Sequence, residues 1–120
     1  MRSRTPRVSQ RRGRRRGPSA TKLDALIAEA LVDAYGDSEQ RTAFYTVLEE
    51  NLAVPFTTQV LGVEVIVERL DLTADGQIVA VCRCGRVRQR IPLLDLPLPV
   101  SAPLGTEWIQ AYRRWVGGAE

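Results

Sequence analysis

Apolar residues recur every three or four positions in "TKLDALIAEALVDAYG", where Leu23, Leu26, Ile27, Ala30, Leu31 and Ala34 fall on one stripe. That spacing predicts an amphipathic helix, opened by Thr21 as N-cap with Asp24 three residues on and closed at Gly36. A second helix follows at once. Asp37 and Gln40 form a capping pair, and Phe44, Val47, Leu48 and Leu52 keep the helical period until Val54, which precedes Pro55. So short a link predicts an antiparallel helical hairpin.

Past Leu61 the period changes from helical to alternating. "VEVIVERL" sets Val63, Val65 and Val67 against Glu64 and Glu68, "QIVAVCRC" follows across the turn signal "ADG", and "RVRQRI" alternates Arg86, Arg88 and Arg90 with Val87 and Ile91. "PLLDLPLPVSAP" holds too much proline for a central strand and reads as an edge or an extended crossing segment. In "TEWIQAYRRW" Trp108, Ile109, Tyr112 and Trp115 share one side of a last helix, which ends at Gly117. The fold class expected is therefore α+β: an N-terminal antiparallel helical hairpin, a small curled antiparallel sheet in the manner of an open SH3-like barrel, and a C-terminal helix.

Charge divides the chain in a way that the net value of +3 conceals. Residues 1–17 carry eight arginines and no acid, which leaves nine basic residues against all 14 acidic ones and a body of net charge −5. A self-repelling segment with little to bury predicts a disordered Arg-rich tail over 1–17, followed by a single domain over 18–120. A chain of 120 residues, 44% of them hydrophobic, suffices for one core. It has no apolar run of the roughly 20 residues that would cross a bilayer, and the expectation is a cytoplasmic protein without a membrane partner.

Composition also limits the chemistry. With no histidine, His-dependent catalysis is excluded and an ordinary zinc site is unsupported, and no activated nucleophile is visible, so an enzyme is not expected. Cys82 and Cys84, two apart on a strand, point to the face of Ile78 and Ala80 and read as buried free thiols. Asp71, Thr73, Asp75 and Gly76 imitate half of an EF-hand loop, but Cys82 stands at the twelfth position and strands flank the segment, so it reads as a hairpin turn.

The acids at helix ends are harder to explain. Asp37 and Glu39 suit the start of the second helix, where the dipole favours negative charge. Asp33 near the end of the first, and Glu49 and Glu50 near the end of the second, stand where carbonyl oxygens already accumulate negative charge. A hard divalent cation reverses that sign, since it takes about six to eight oxygens. Asp37 and Glu49 lie twelve residues apart, roughly 18 Å along a helix at 1.5 Å per residue, so they would serve separate sites. In an antiparallel hairpin Asp24 would return beside Glu49 and Glu50. Solvated acidic surface is the alternative reading.

The stretches "DAYGDSEQRTAFYTVLEENLAVPF", "VAVCRCGRVRQRIPLLDLPL" and "EWIQAYRRW" resemble, in order and spacing, the small non-EF-hand calcium-binding family typified by the cyanobacterial calcium-binding protein (CcbP-like). The likeness runs from about Leu23 to Trp115. It implies an α/β protein that binds Ca2+ as a buffer or sensor, with Asp33, Asp37, Glu39, Glu49 and Glu50 as the carboxylates carried across. A second function remains open: weak, non-specific nucleic-acid association through Arg11, Arg12, Arg14, Arg15 and Arg16 of the tail and the Arg86, Arg88 and Arg90 face of the sheet. Against the sheet's part in this stands an ion-paired face, with Glu64 and Glu68 as partners.

Overall fold

The first helix is capped two residues earlier than expected. In the computed structural model, which describes residues 18–117, α1 spans Ala20–Ala30, and the Ser19 hydroxyl accepts from the Lys22 amide at 3.2 Å, so Ser19 rather than Thr21 is the N-cap. Nor does α1 reach Gly36. After Ala30 the bonds tighten to Val32 N–Glu29 O (3.5 Å) and Ala34 N–Leu31 O (3.0 Å), and Asp33 turns the chain at φ 65°, a left-handed conformation that Asp tolerates better than most residues. Asp33 thus lies in the connection, not in a last helical turn.

Helix α2 covers Asp37–Asn51 and α3 covers Thr106–Gly117. Between them run β1 (Phe56–Val60), β2 (Val63–Leu72), β3 (Ile78–Cys84) and β4 (Val87–Pro92), a 3-10 turn at Leu93–Asp95, and an extended segment. The strands form an antiparallel meander in the order β1-β2-β3-β4. The small antiparallel sheet expected is present, and it is open, with β1 and β4 as its edges. Strand β1 had no counterpart in the sequence reading. It joins β2 through Leu61 and Gly62, both at positive φ (52° and 79°), as a two-residue hairpin with right-handed strand twist requires.

One side of the sheet meets the helices. Phe44, Leu48, Val67, Ala80, Leu93, Ile109 and Ala111 are completely buried in one cluster that draws on α2, α3, the sheet and the 3-10 turn. Phe44 stacks on Trp115 at a centroid distance of 5.1 Å and meets Tyr112 edge-on at 5.6 Å. Helix α1 packs more extensively on α3 than on α2. Arg114 ties α3 to it through a forked contact with Asp24 at 2.8 and 3.4 Å, so Asp24 is engaged by α3 and not by the acids ending α2. Beside it Arg113 donates to Leu93 O at 2.9 Å and to Leu96 O, closing the 3-10 turn onto α3.

A β-bulge in β2 sets the other side. Val67 pairs with Cys82 and Arg69 with the adjacent Val81, so Glu68 is the extra residue. Val67 and Leu70 consequently both face the core, while Glu68 and Arg69 both face out.

Candidate functional site: the connection between α1 and α2

The chain enters α2 through Gly36, whose φ of 86° and ψ of 157° belong to a region that only glycine occupies readily. Gly36 is the N-cap and has no side chain to offer the exposed amides. Glu39 reaches back past it, and its Oε1 accepts from the Tyr35 amide at 2.8 Å, while the first amides of α2 take no side-chain cap. The side-chain contact that is made thus runs from Glu39 to Tyr35, and the expected capping pair of Asp37 and Gln40 is not formed. Gln40 instead donates through its side chain to Ala34 O at 3.5 Å and through its amide to Gly36 O at 3.0 Å. Asp37 accepts from Arg41 Nε at 3.1 Å.

Asp33, Asp37 and Glu39 line one open depression of about 680 Å³ together with Val32, Tyr35 and Thr42. All three acids are exposed. Two of them sit in the first turn of α2, where exposed amides favour negative charge. Asp33 is brought to them by the left-handed turn, a placement that helical periodicity could not reveal. Among the described residues no group of three or more His, Cys, Asp or Glu side chains is arranged to hold a metal ion by itself.

Glu49 and Glu50 do not line this depression. Glu49 Oε2 accepts from the Tyr45 hydroxyl at 2.8 Å, and that hydroxyl also lies 3.4 Å from Leu70 O. Burial first, and the bond to Glu49 second, push the Tyr45 phenol up to about 12. The carbonyls ending α2 are partly occupied by the protein itself. Asn51 Nδ2 donates to Val47 O at 2.8 Å, and Gly105 packs so closely that a Cβ there would lie 2.1 Å from Asn51 O.

The arginines of the sheet are largely committed to acids. Glu68 accepts from Arg83 at 2.7 Å and from Arg88 at 2.9 Å, and these two arginines hold its carboxyl below the ordinary carboxylate range, Arg88 contributing most. Asp71 meets Arg90 at 2.9 Å and Arg69 at 3.7 Å. Beneath this lattice Val79 and Val81 are buried, and Val81 lies in register between Arg69 and Arg90. The face is ion-paired as the alternative reading expected, with Glu68 rather than Glu64 as the partner. Arg11, Arg12, Arg14, Arg15 and Arg16, like the whole 1–17 tail, lie outside the described residues.

Two further expectations separate here. The "DLTADG" segment is a turn closed by Thr73 N–Gln77 O at 2.8 Å and Gly76 N–Thr73 O at 3.0 Å, while Asp71 is spent on the sheet. Cys82 is buried, which pushes its thiol up, but Cys84, the last residue of β3, is exposed, so the pair does not share an interior.

A family model for calcium binding, Calci_bind_CcbP, matches residues 24–116, most of the chain. The chain belongs to this calcium-binding family. No curated protein and no solved structure matches it. Membership in the CcbP family makes Ca2+ the implied ion, and the α1–α2 connection suits that ion chemically. Its donors are hard oxygens, Asp37 Oδ1 and Glu39 Oε2 take no hydrogen bond from any described residue, and the depression is wide enough for main-chain oxygens or water to complete a shell. Among the described residues no helix is long and apolar enough to cross a membrane.

Proposed function

We propose that this CcbP-family protein binds Ca2+ at the α1–α2 connection, through Asp33, Asp37 and Glu39 with main-chain oxygens, and that Glu49 and Glu50 form a separate, weaker site. The observation that carries this reading is that three carboxylates, Asp33, Asp37 and Glu39, line one open depression of a calcium-binding family member. With few protein ligands and an open approach, the ion exchanges readily, as reversible calcium handling requires. Buffering asks no more than that. Sensing asks the ion to compete with a contact that shapes the fold, and Glu39 supplies one, since its bond to the Tyr35 amide holds the entry to α2. The same reading takes residues 18–120 as one cytoplasmic domain that binds without catalysing.

Calorimetric titration of the full chain with CaCl2, beside a thermal melt, tests the assignment. An ion bound only by the folded state at a hundred times its Kd adds about 2.7 kcal/mol, which for a domain of this size raises Tm by roughly 10 °C. Replacing Asp33 and Asp37 together by Asn removes most of both signals. A double variant that binds as the parent does places the site elsewhere.

A further inference from the structure

Asp37 is shared between two depressions. On one side it lines the open basin with Asp33 and Glu39; on the other it borders a smaller one of about 400 Å³ with Arg41, Thr73, Asp75 and Gly76 of the β2–β3 turn. Arg41 lies across that second depression. Its Nε donates to Asp37 Oδ2 at 3.1 Å, and its Nη1 donates to Gly76 O at 3.3 Å. The seat is close-fitting: Gly76 adopts φ 88°, and a Cβ on it would stand 2.8 Å from Arg41 Cδ. A positive charge is therefore already held by one carboxylate and one carbonyl oxygen, the donor types that calcium would use.

We infer that Arg41 is an internal competitor for the calcium site, so that an ion ligated by Asp37 and the Arg41 bridge from α2 to the β2–β3 turn oppose each other. The inference rests on the calcium reading given above. Its physical basis is charge. A dication on Asp37 would sit within about 6 Å of the guanidinium, and repulsion between charges of +2 and +1 at that separation in a water-like dielectric corresponds to roughly tenfold in an equilibrium constant, which salt reduces to severalfold. Because coupling is reciprocal, calcium weakens the hold of Arg41 on the turn by the same factor by which Arg41 weakens calcium. Affinity is thereby lowered, and occupancy is communicated 35 residues along the chain to Gly76.

The test is calcium titration of the full-length parent, Arg41→Gln, Arg41→Lys and Asp37→Asn, with amide hydrogen exchange across residues 73–77. Arg41→Gln is expected to bind calcium about three- to tenfold more tightly than the parent, Arg41→Lys to stay close to it because the charge remains, and Asp37→Asn to bind more weakly. In the parent, calcium speeds exchange at the Gly76 and Gln77 amides; in Arg41→Gln that exchange is fast beforehand and calcium leaves it unchanged. Equal affinities for Arg41→Gln and the parent, with the loss at Asp37→Asn intact, overturn the inference and leave the calcium site standing. Tightening by Arg41→Lys as large as by Arg41→Gln also overturns it, since charge would not be the cause. If neither parent nor Arg41→Gln binds calcium, the site assignment fails and the inference with it, whereas binding seen only in Arg41→Gln supports both.

Discussion

Gly105→Ala is expected to be among the most damaging single-methyl changes available to this protein. Gly105 stands at φ 91°, and its added Cβ would lie 2.1 Å from Asn51 O, 2.6 Å from Asn51 C and 2.7 Å from Leu52 Cα. All three are backbone atoms at the end of α2, and none can rotate away. The backbone conformation alone costs about 1–3 kcal/mol in a non-glycine residue. Relieving the clash means drawing residues 104–106 off α2, which breaks the 2.8 Å bond from Ala53 N to Leu104 O and forfeits about another 1 kcal/mol, besides the packing around it. The sum is roughly 3–5 kcal/mol, a large share of the about 5–15 kcal/mol that holds a domain folded. Gly62→Ala is the control, because Gly62 has φ 79° but nothing within 4 Å of the added methyl, and so carries the conformational cost without the clash. Urea unfolding followed by far-UV circular dichroism measures both. If Gly105→Ala falls within about 1 kcal/mol of Gly62→Ala, the tight joint between α2 and the start of α3 does not exist as described.

Three other outcomes follow from the same contacts. The Tyr45 phenol, pushed up to about 12 in the fold, keeps its proton while the unfolded chain loses it from about pH 10, so stability declines between those values; Tyr45→Phe flattens that decline in alkaline melts. Glu68 works at the opposite end: its carboxyl is held low, so its contribution is present above the ordinary carboxylate range and disappears as pH falls through the depressed value, and Glu68→Gln makes the acid melts shallower there. Trp108 and Trp115 belong to, or pack against, the cluster that also holds Val67 and Ala80 of the sheet, so tryptophan fluorescence and far-UV dichroism should report one coincident transition, and separated midpoints would divide helices from sheet.

Much of the architecture was legible because periodicity reports burial. The alternation of β2 at Val65 and Val67, the positions Ile78, Ala80 and Cys82 of β3 and the stripe of α3 each mark a face against the core, whereas Val63 continues the alternation of β2 and is exposed. The same property misled at α1. Ala34 continues the apolar stripe and is buried, but the chain reaches that position through a left-handed turn, so the pattern recorded burial correctly and conformation wrongly. Strand β1 is five residues long, too short to establish an alternation, and Cys84 has the right parity for the interior but ends its strand and is exposed. At the site, the acids could be named from helix-end electrostatics, and Asp33, Asp37 and Glu39 could be grouped by nearness in sequence. The seat of Arg41 on Gly76 could not, because it depends on how α2 meets a turn 35 residues away.

The bulge at Glu68 bears on how this strand could have changed over time. With Glu68 removed, β2 would read Val67 in, Arg69 out and Leu70 in, an unbroken alternation with every core-facing residue still in place. The ladder and the hydrophobic face do not need the residue; only Arg83 and Arg88 do, since it is their shared carboxylate. Glu68 is thus a one-residue insertion that the interior does not register, and a lineage could gain or lose the acid, shifting the charge of that face by one, in a single indel without rebuilding the core.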